Sequence, residues 1–282
     1  MLADAHIHLD DLLDRDPAFP ERLARLSWIG CAASHDAAAY ARTEALRARL
    51  AAGGAGAGVA GGTDDGADAA RASFVASFGI HPQNAVWDHA DFLAGLAARG
   101  AIAAIGEAGF DFYGDRPERV RNPENESAQR AVFEFQLELA ERSALPLLLH
   151  IRRAMDLAFA YAPRLKRLRG AVFHSYSGTA DEAAALLGRG VEAYFSFGAS
   201  VLNGNKRARA ACAAVPGDRL LSETDAPWQP PRREGPPPPG GRFCLPEDLE
   251  PIAAGIAAIR GIGPARAEEV LERNFRAAYL PA

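Results

Sequence analysis

The sequence predicts an α/β fold: a (β/α)8 TIM barrel, a single domain over residues 1–282, with an extra C-terminal helix. Three observations predict it. Short aliphatic or β-branched runs alternate with longer Ala/Leu/Arg/Glu-rich runs of helical period along the whole chain. The length of 282 residues is ordinary for such a barrel, which typically takes about 250. Polar side chains of metal-ligating type recur at one strand end after another, and a barrel collects those ends on one face. A doubly wound open sheet has the same βα rhythm and is the architectural alternative.

Strands are expected over 2–8, 28–33, 74–80, 101–107, 146–151, 171–174, 192–197 and 220–224. Helices of 3.6-residue period are expected over 35–52, 89–99, 125–143, 154–161, 181–188 and 205–215. The helix after the first strand is the least regular, a short Phe/Leu segment bounded by Pro17 and Pro20. Two closing helices follow over 246–260 and 264–279, each opened by a proline. Ile252, Ile256 and Ile259 mark the core face of the first, and Val270, Leu271, Phe275 and Leu280 that of the second. Residues 53–66 carry seven glycines and read as a flexible excursion. Residues 227–241 carry seven prolines with Arg232 and Arg233, a stiff and irregular segment directly after the eighth strand.

Composition excludes several classes. About half of the residues are apolar, enough for a large core, yet no apolar run is long enough to cross a bilayer. Asp4 and His6 interrupt any leader-like stretch, so no signal peptide is expected. Cys31, Cys212 and Cys244 match neither a disulfide framework nor a zinc knuckle, and fit a reducing cytoplasm. A net charge of −5 argues against extended, sequence-independent nucleic-acid binding, though not against a local basic patch. No membrane contact and no protein partner is implied.

The chemistry lies at the strand ends. His6 and His8, two apart on the first strand, face one side of the sheet. His81 follows the third strand, Glu107 ends the fourth, His150 and His174 end the fifth and sixth, and Asp225 follows the eighth. His35 and His89 fall instead at helix starts, where a surface or capping role is expected. His6, His8, His150, His174, Glu107 and Asp225 exceed what one four-coordinate ion requires, so two divalent ions are the natural count. His6, His8 and Asp225 would bind the first, His150 and His174 the second, with Glu107 bridging both. Lysine occurs only at Lys166 and Lys206, neither at a strand end, so a carbamylated lysine cannot serve as the bridge. Mixed imidazole and carboxylate ligands suit Zn, Mn, Fe or Ni, and Mg less comfortably.

The chain resembles the TatD-related family of metal-dependent hydrolases and deoxyribonucleases, within the amidohydrolase-like barrels. The matching segments begin at Asp4-Ala5-His6-Ile7-His8-Leu9, Gly79-Ile80-His81-Pro82 and Ile105-Gly106-Glu107-Ala108-Gly109-Phe110-Asp111. They continue through His150-Ile151-Arg152-Arg153-Ala154, His174-Ser175-Tyr176-Ser177-Gly178 and Leu221-Ser222-Glu223-Thr224-Asp225-Ala226-Pro227. Glu250-Pro251 and Asn274-Phe275 also look like the family's C-terminal helices. The glycine-rich and proline-rich loops depart from its pattern.

The resemblance implies a divalent-metal hydrolase, in several members a nuclease acting on DNA phosphodiesters. Two cations about 3.5–4 Å apart would activate a water for in-line attack at phosphorus. Asp225 would also accept or orient that water's proton. His81 and Arg152 are the substrate-side candidates, the guanidinium able to grip a phosphate through two hydrogen bonds. Glu223 would steady a ligand histidine. Arg152, Arg153, Lys206, Arg207, Arg209, Arg232 and Arg233 could furnish cations near the mouth. A hydrolase of small phosphodiesters, amides or lactones on the same centre is the alternative. A metal-binding scaffold without turnover is the third reading, which the complete set of six ligands disfavours.

Overall fold

A computed structural model describes residues 1–55, 72–114, 116, 119–236 and 241–280. Eight strands, β1 (Leu2–Ile7), β2 (Trp28–Ser34), β3 (Ser73–Phe78), β4 (Ala104–Asp111), β5 (Leu147–Arg152), β6 (Ala171–Phe173), β7 (Ala193–Phe197) and β8 (Leu220–Ser222), follow one another in sequence order. Every adjacent pair in that order is parallel. The two ends of the sheet meet just beyond β8. Asp225 N donates to His6 O at 3.0 Å, and His8 N donates to Ala226 O at 2.8 Å. Asp4 adds a side-chain clamp, accepting from Thr224 N at 2.9 Å and from Thr224 Oγ1 at 2.7 Å.

Side-chain alternation separates the inside of the barrel from the outside. Leu147 and Leu149 of β5 pack outward with Phe133, Leu137 and Leu157 of the surrounding helices. Leu148 joins an interior cluster with Ile29, Cys31, Ala33, Val172 and Leu221. His150, two residues beyond Leu148, therefore points at the barrel axis. So do His174, two beyond Val172, and His35, two beyond Ala33.

The helices are α1 (Leu9–Arg15), α2 (Phe19–Leu23), α3 (Ala37–Ala55), α4 (Ala90–Ala98), α5 (Pro123–Ser143), α6 (Met155–Leu165), α7 (Ala180–Gly188), α8 (Lys206–Ala214), α9 (Leu249–Arg260) and α10 (Pro264–Tyr279). The stretch after β1 forms two short helices, with Pro17 between them and Pro20 in the first turn of α2, where its missing N–H costs nothing. The turn at Pro246–Asp248 is a 3₁₀ element, so the helix expected from 246 begins at Leu249. The expected loop over 53–66 starts too early: α3 continues through Gly53 and Gly54 to Ala55, and residues 56–66 lie outside the described residues. Of the proline-rich segment, residues 237–240 lie outside them as well.

The extra C-terminal helix, α10, closes the barrel floor. Its Phe275 and Tyr279 join the interior cluster, and Tyr279 OH donates to Ala5 O at 2.7 Å. Asn274 Nδ2 donates to Gly217 O and Leu220 O, both at 2.8 Å, tying the helix to the entry of β8. Phe275 is fully buried. Phe275→Ala is expected to cost about 3–5 kcal/mol, since the ring leaves a cavity that strands cannot collapse to fill. Denaturant unfolding measures it, and a loss below about 1 kcal/mol would mean that α10 does not plug the floor.

Candidate metal centre

The fourth strand begins and ends later than expected, at 104–111 instead of 101–107, because the backbone between Ile105 and Ala108 is irregular. Its register against β5 slips there. Ala104 faces the interior cluster, and Ile105, Ala108 and Phe110 face the helices. Strict alternation from Ile105 would send Glu107 outward, and the slip turns it inward instead. Gly106 allows the slip. Its φ is +146°, and a Cβ there would sit 2.2 Å from Leu148 O. Gly109, at φ +142°, would likewise drive a Cβ to 2.2 Å from His150 O. These two glycines let β4 lie close enough to β5 for Glu107 and His150 to meet.

Glu107 is the hub. Its Oε2 faces His35 Nε2 at 3.0 Å, His8 Nε2 at 3.3 Å and His6 Nε2 at 3.4 Å. Its Oε1 faces His174 Nε2 at 2.8 Å and His150 Nδ1 at 3.1 Å, with His81 Nε2 at 3.9 Å. On the Oε2 side, Asp225 Oδ1 lies 3.4 Å from His6 Nε2 and 3.5 Å from His8 Nε2. All six residues expected as ligands thus converge on one place, divided by the two oxygens of a single carboxylate. Asp225 sits at φ +56°, a backbone conformation that a non-glycine residue adopts rarely and that is met at functional sites.

The nitrogens crowd one another. His6 Nε2 and His8 Nε2 are 3.0 Å apart, and His150 Nδ1 and His174 Nε2 are 2.9 Å apart. Two N–H groups cannot point at each other over such distances, so these atoms meet as lone pairs or share a single proton. The electrostatics are correspondingly divided. Burial opposes charge on His6 more than any single neighbour does, yet Glu107 and Asp225 together push its pKa well above the imidazole range. Burial and the charge of His6 push His174 down to about 4. Burial works against charge on His150 too, and Asp111 and Glu107 push it up to about 9. Burial also penalises the Glu107 carboxylate, but His6, His174 and His150 hold it well below the usual range. Divalent cations accept all of these lone pairs at once, so the donor set fits metal ions of the kind that take imidazole and carboxylate ligands.

Asp111 positions His150, a role that the sequence reading did not give it. Its Oδ2 lies 2.8 Å from His150 Nε2, leaving Nδ1 to face Glu107. It is itself fixed, accepting from Gln83 Nε2 at 2.9 Å and from Tyr113 N at 2.8 Å. Glu107, Gly109 and Asp111 share one face of β4, so alternation beyond the slip could have found it. Replacing Asp111 by alanine is expected to weaken ion binding on the His150 side about 10–100-fold. Calorimetric titration with Mn²⁺ measures this, and an unchanged affinity would remove the positioning role.

Other expected site residues sit around this hub. His81 Nδ1 accepts from Gln83 N at 3.1 Å, so its neutral ring carries the proton on Nε2, facing the centre. Burial and the neighbouring charge of His150 hold its pKa well below the imidazole range. Glu223 Oε1 accepts from Ser175 N at 2.6 Å and lies 3.9 Å from His174 Nδ1, beyond hydrogen-bond reach. The Arg152 guanidinium lies 3.6 Å above the centroid of Tyr113 and is in no ion pair among the described residues. Of the expected mouth cations, Arg152 lines the central cavity, whereas Arg153 leans on Tyr113, Arg209 binds Val201 O and Arg233 pairs with Asp248. Arg119, which the sequence reading passed over, lines the cavity too.

The expectation for His35 is corrected. It does not sit at the surface or cap α3: it is half-buried, and its Nε2 touches Glu107. β2 runs one residue longer than expected and carries the interior-facing series Ile29, Cys31, Ala33 onward to His35. His89 does precede α4, but without a side-chain capping bond.

A family model described as TatD related DNase matches residues 3–280. The chain belongs to the TatD-related family. The 3'-5' ssDNA/RNA exonuclease TatD of Cronobacter sakazakii is 36% identical over 208 residues, covering 72% of this chain and 75% of the relative. The protein of the same description from Erwinia billingiae is also 36% identical, over 211 residues and 72% and 77% of the two chains. Among solved structures, the TatD homologue YJJV from Escherichia coli superposes with a TM-score of 0.78 at 23% identity, covering 100% of this chain and 98% of that one. A TatD-family hydrolase from Entamoeba histolytica follows at 0.74 and 17%, with the same coverage. These two likenesses show the fold. TatD-family enzymes are metal-dependent hydrolases, and the cluster around Glu107 has the chemistry that such an enzyme requires. No helix among the described residues is long and apolar enough to cross a membrane.

Proposed function

We propose that this protein is a two-metal nuclease that hydrolyses phosphodiester bonds in single-stranded nucleic acid. The observation that carries this reading is the division of labour at Glu107, whose two oxygens each face a separate group of imidazoles. His6, His8 and Asp225 would hold one ion and His150 and His174 the other, Glu107 holding both. Bound divalent ions supply Lewis acidity at the phosphoryl group and bring the pKa of a water toward neutrality.

The remaining work falls to the chain. Asp225 accepts or orients the proton of the attacking water: its carboxylate reaches the centre, and His6 and His8 keep it ionised against the effect of burial. His81 donates its Nε2 proton to a non-bridging phosphate oxygen. Arg152, at the cavity wall, grips the same phosphate through its planar fork. The match to relatives described as 3'-5' ssDNA/RNA exonucleases supports nucleic acid as the substrate. The three cysteines are free and buried, which supports work in the cytoplasm.

The central cavity, about 500 Å³, is of small-ligand size. That observation favours a second reading, a hydrolase of small phosphodiesters, amides or lactones. A panel of single-stranded DNA, duplex DNA, RNA and bis-p-nitrophenyl phosphate, with Mn²⁺, Mg²⁺ or Zn²⁺, separates the two. Degradation of single strands that stops with chelator is expected. Inert nucleic acid under every metal, alongside turnover of a small ester or amide, would replace the first reading by the second.

A further inference from the structure

Among the described residues, His35 is the histidine at Glu107 to which the two-ion arrangement gives no task. It stands one residue beyond β2, between His8 after β1 and His81 after β3. Its ring centroid lies 5.3 Å from that of His8 and 5.2 Å from that of His81. Of the three imidazoles facing Oε2 its Nε2 is the nearest, at 3.0 Å against 3.3 Å for His8 and 3.4 Å for His6. Two atoms each about 2.1 Å from one ion lie about 3.0–3.4 Å apart at angles of about 90–109°, so all three spacings suit ligands of one ion shared with Oε2. His8, His35 and Glu107 each place a ligand atom within 4.8 Å of the other two. The second nitrogen of each ring separates ligands from donors. Gln83 N occupies Nδ1 of His81, which leaves the proton on Nε2. His35 Nδ1 is buried with no hydrogen-bond partner among the described residues, and so are His6 Nδ1 and His174 Nδ1. In all three rings Nε2 faces Glu107. With the proton on Nδ1, the Nε2 lone pair of His35 is open to a cation, as theirs is.

We infer that His35 is a further ligand of the ion on the Oε2 side of Glu107, and that this ion is the tighter held of the two. The inference rests on the two-metal reading. His6, His8, His35, Asp225 and Glu107 offer that ion five side chains, whereas His150, His174 and Glu107 offer the other three. An ion enclosed by side chains is held as structural metals are, and one with three side-chain ligands keeps a position open for water or substrate. A third imidazole also moves the preference of the Oε2 side further from Mg²⁺. Side-chain exposure rises from zero at His6 through 7% at His8 to 32% at His35, so His35 stands on the solvent side of the other two.

The test uses the full-length protein, stripped of metal by chelator, then titrated with Mn²⁺ in a calorimeter and with Co²⁺ in a spectrophotometer. Wild type is expected to take up two ions in separate steps, the first at least about 10-fold tighter, as the larger donor set requires. His35→Ala is expected to weaken the first step at least about 100-fold and to leave the second as it was. That loss exceeds the about 10–100-fold that goes with a side chain which only orients a ligand. The visible band of the first Co²⁺ is expected to shift, since one imidazole leaves its coordination. His35→Gln keeps a hydrogen-bond donor for Glu107 without the imidazole, and is expected to match His35→Ala. Wild-type affinity and an unshifted band in folded His35→Gln would reduce His35 to a partner of Glu107, overturning the assignment and leaving the two-metal reading intact. Three ions in wild type and two in the variants would give His35 an ion of its own and overturn the sharing. Uptake of a single ion by wild type would remove the two-metal reading, and the ranking of the two ions with it.

Discussion

Glu107→Ala is expected to abolish hydrolysis, lowering kcat at least about 1,000-fold, and to take bound metal from two ions per chain toward none. Among the described residues no other carboxylate faces both groups of imidazoles: Oε2 serves His6 and His8, and Oε1 serves His150 and His174. Removing it takes from His150 and His174, whose nitrogens are 2.9 Å apart, the carboxylate that both face, and leaves His6 and His8 with Asp225 alone. Glu107→Gln separates shape from charge, because it keeps the volume and one oxygen but loses the negative charge that two cations require. Metal content by elemental analysis and single-turnover hydrolysis report the two effects independently. An alanine variant with both ions and full activity would remove the bridging role.

Asp225→Asn is expected to lower kcat about 100–1,000-fold with little change in KM, the pattern of an interaction made in the transition state only. Asparagine preserves the volume and can still present an oxygen to His6 and His8, 3.4 and 3.5 Å away in the parent carboxylate. It cannot take up a proton. Retained metal with lost turnover therefore identifies the proton acceptor, whereas loss of metal and turnover together identifies a ligand only. Wild-type kcat in Asp225→Asn would exclude both.

Most of this arrangement can be read from strand periodicity, and its failures are local. The inward face of β5 follows from Leu148, His150 and Arg152, and β6 repeats the logic with Val172 and His174. The same alternation carries Ile29, Cys31 and Ala33 to His35, but ending that strand at residue 33 handed His35 to the next helix. Glu107 is the opposite case. Alternation from Ile105 points it the wrong way, and only the register slip at Gly106 turns it to the axis. Gly106 and Gly109 are, in the folded chain, what allows β4 to crowd β5. Asp111 and Gln229 carry no local sequence signal because each acts through a ligand, Asp111 on His150 and Gln229 on Asp225. Such a role needs a partner brought close by the fold, and nothing in the local sequence announces it.

The metal count is the central claim, and anomalous diffraction from Mn²⁺-loaded crystals tests it most directly. The account predicts two peaks. One lies among His6, His8 and Asp225, the other between His150 and His174, each on its own oxygen of Glu107. A single peak, or two peaks with Glu107 bound to only one of them, would contradict it.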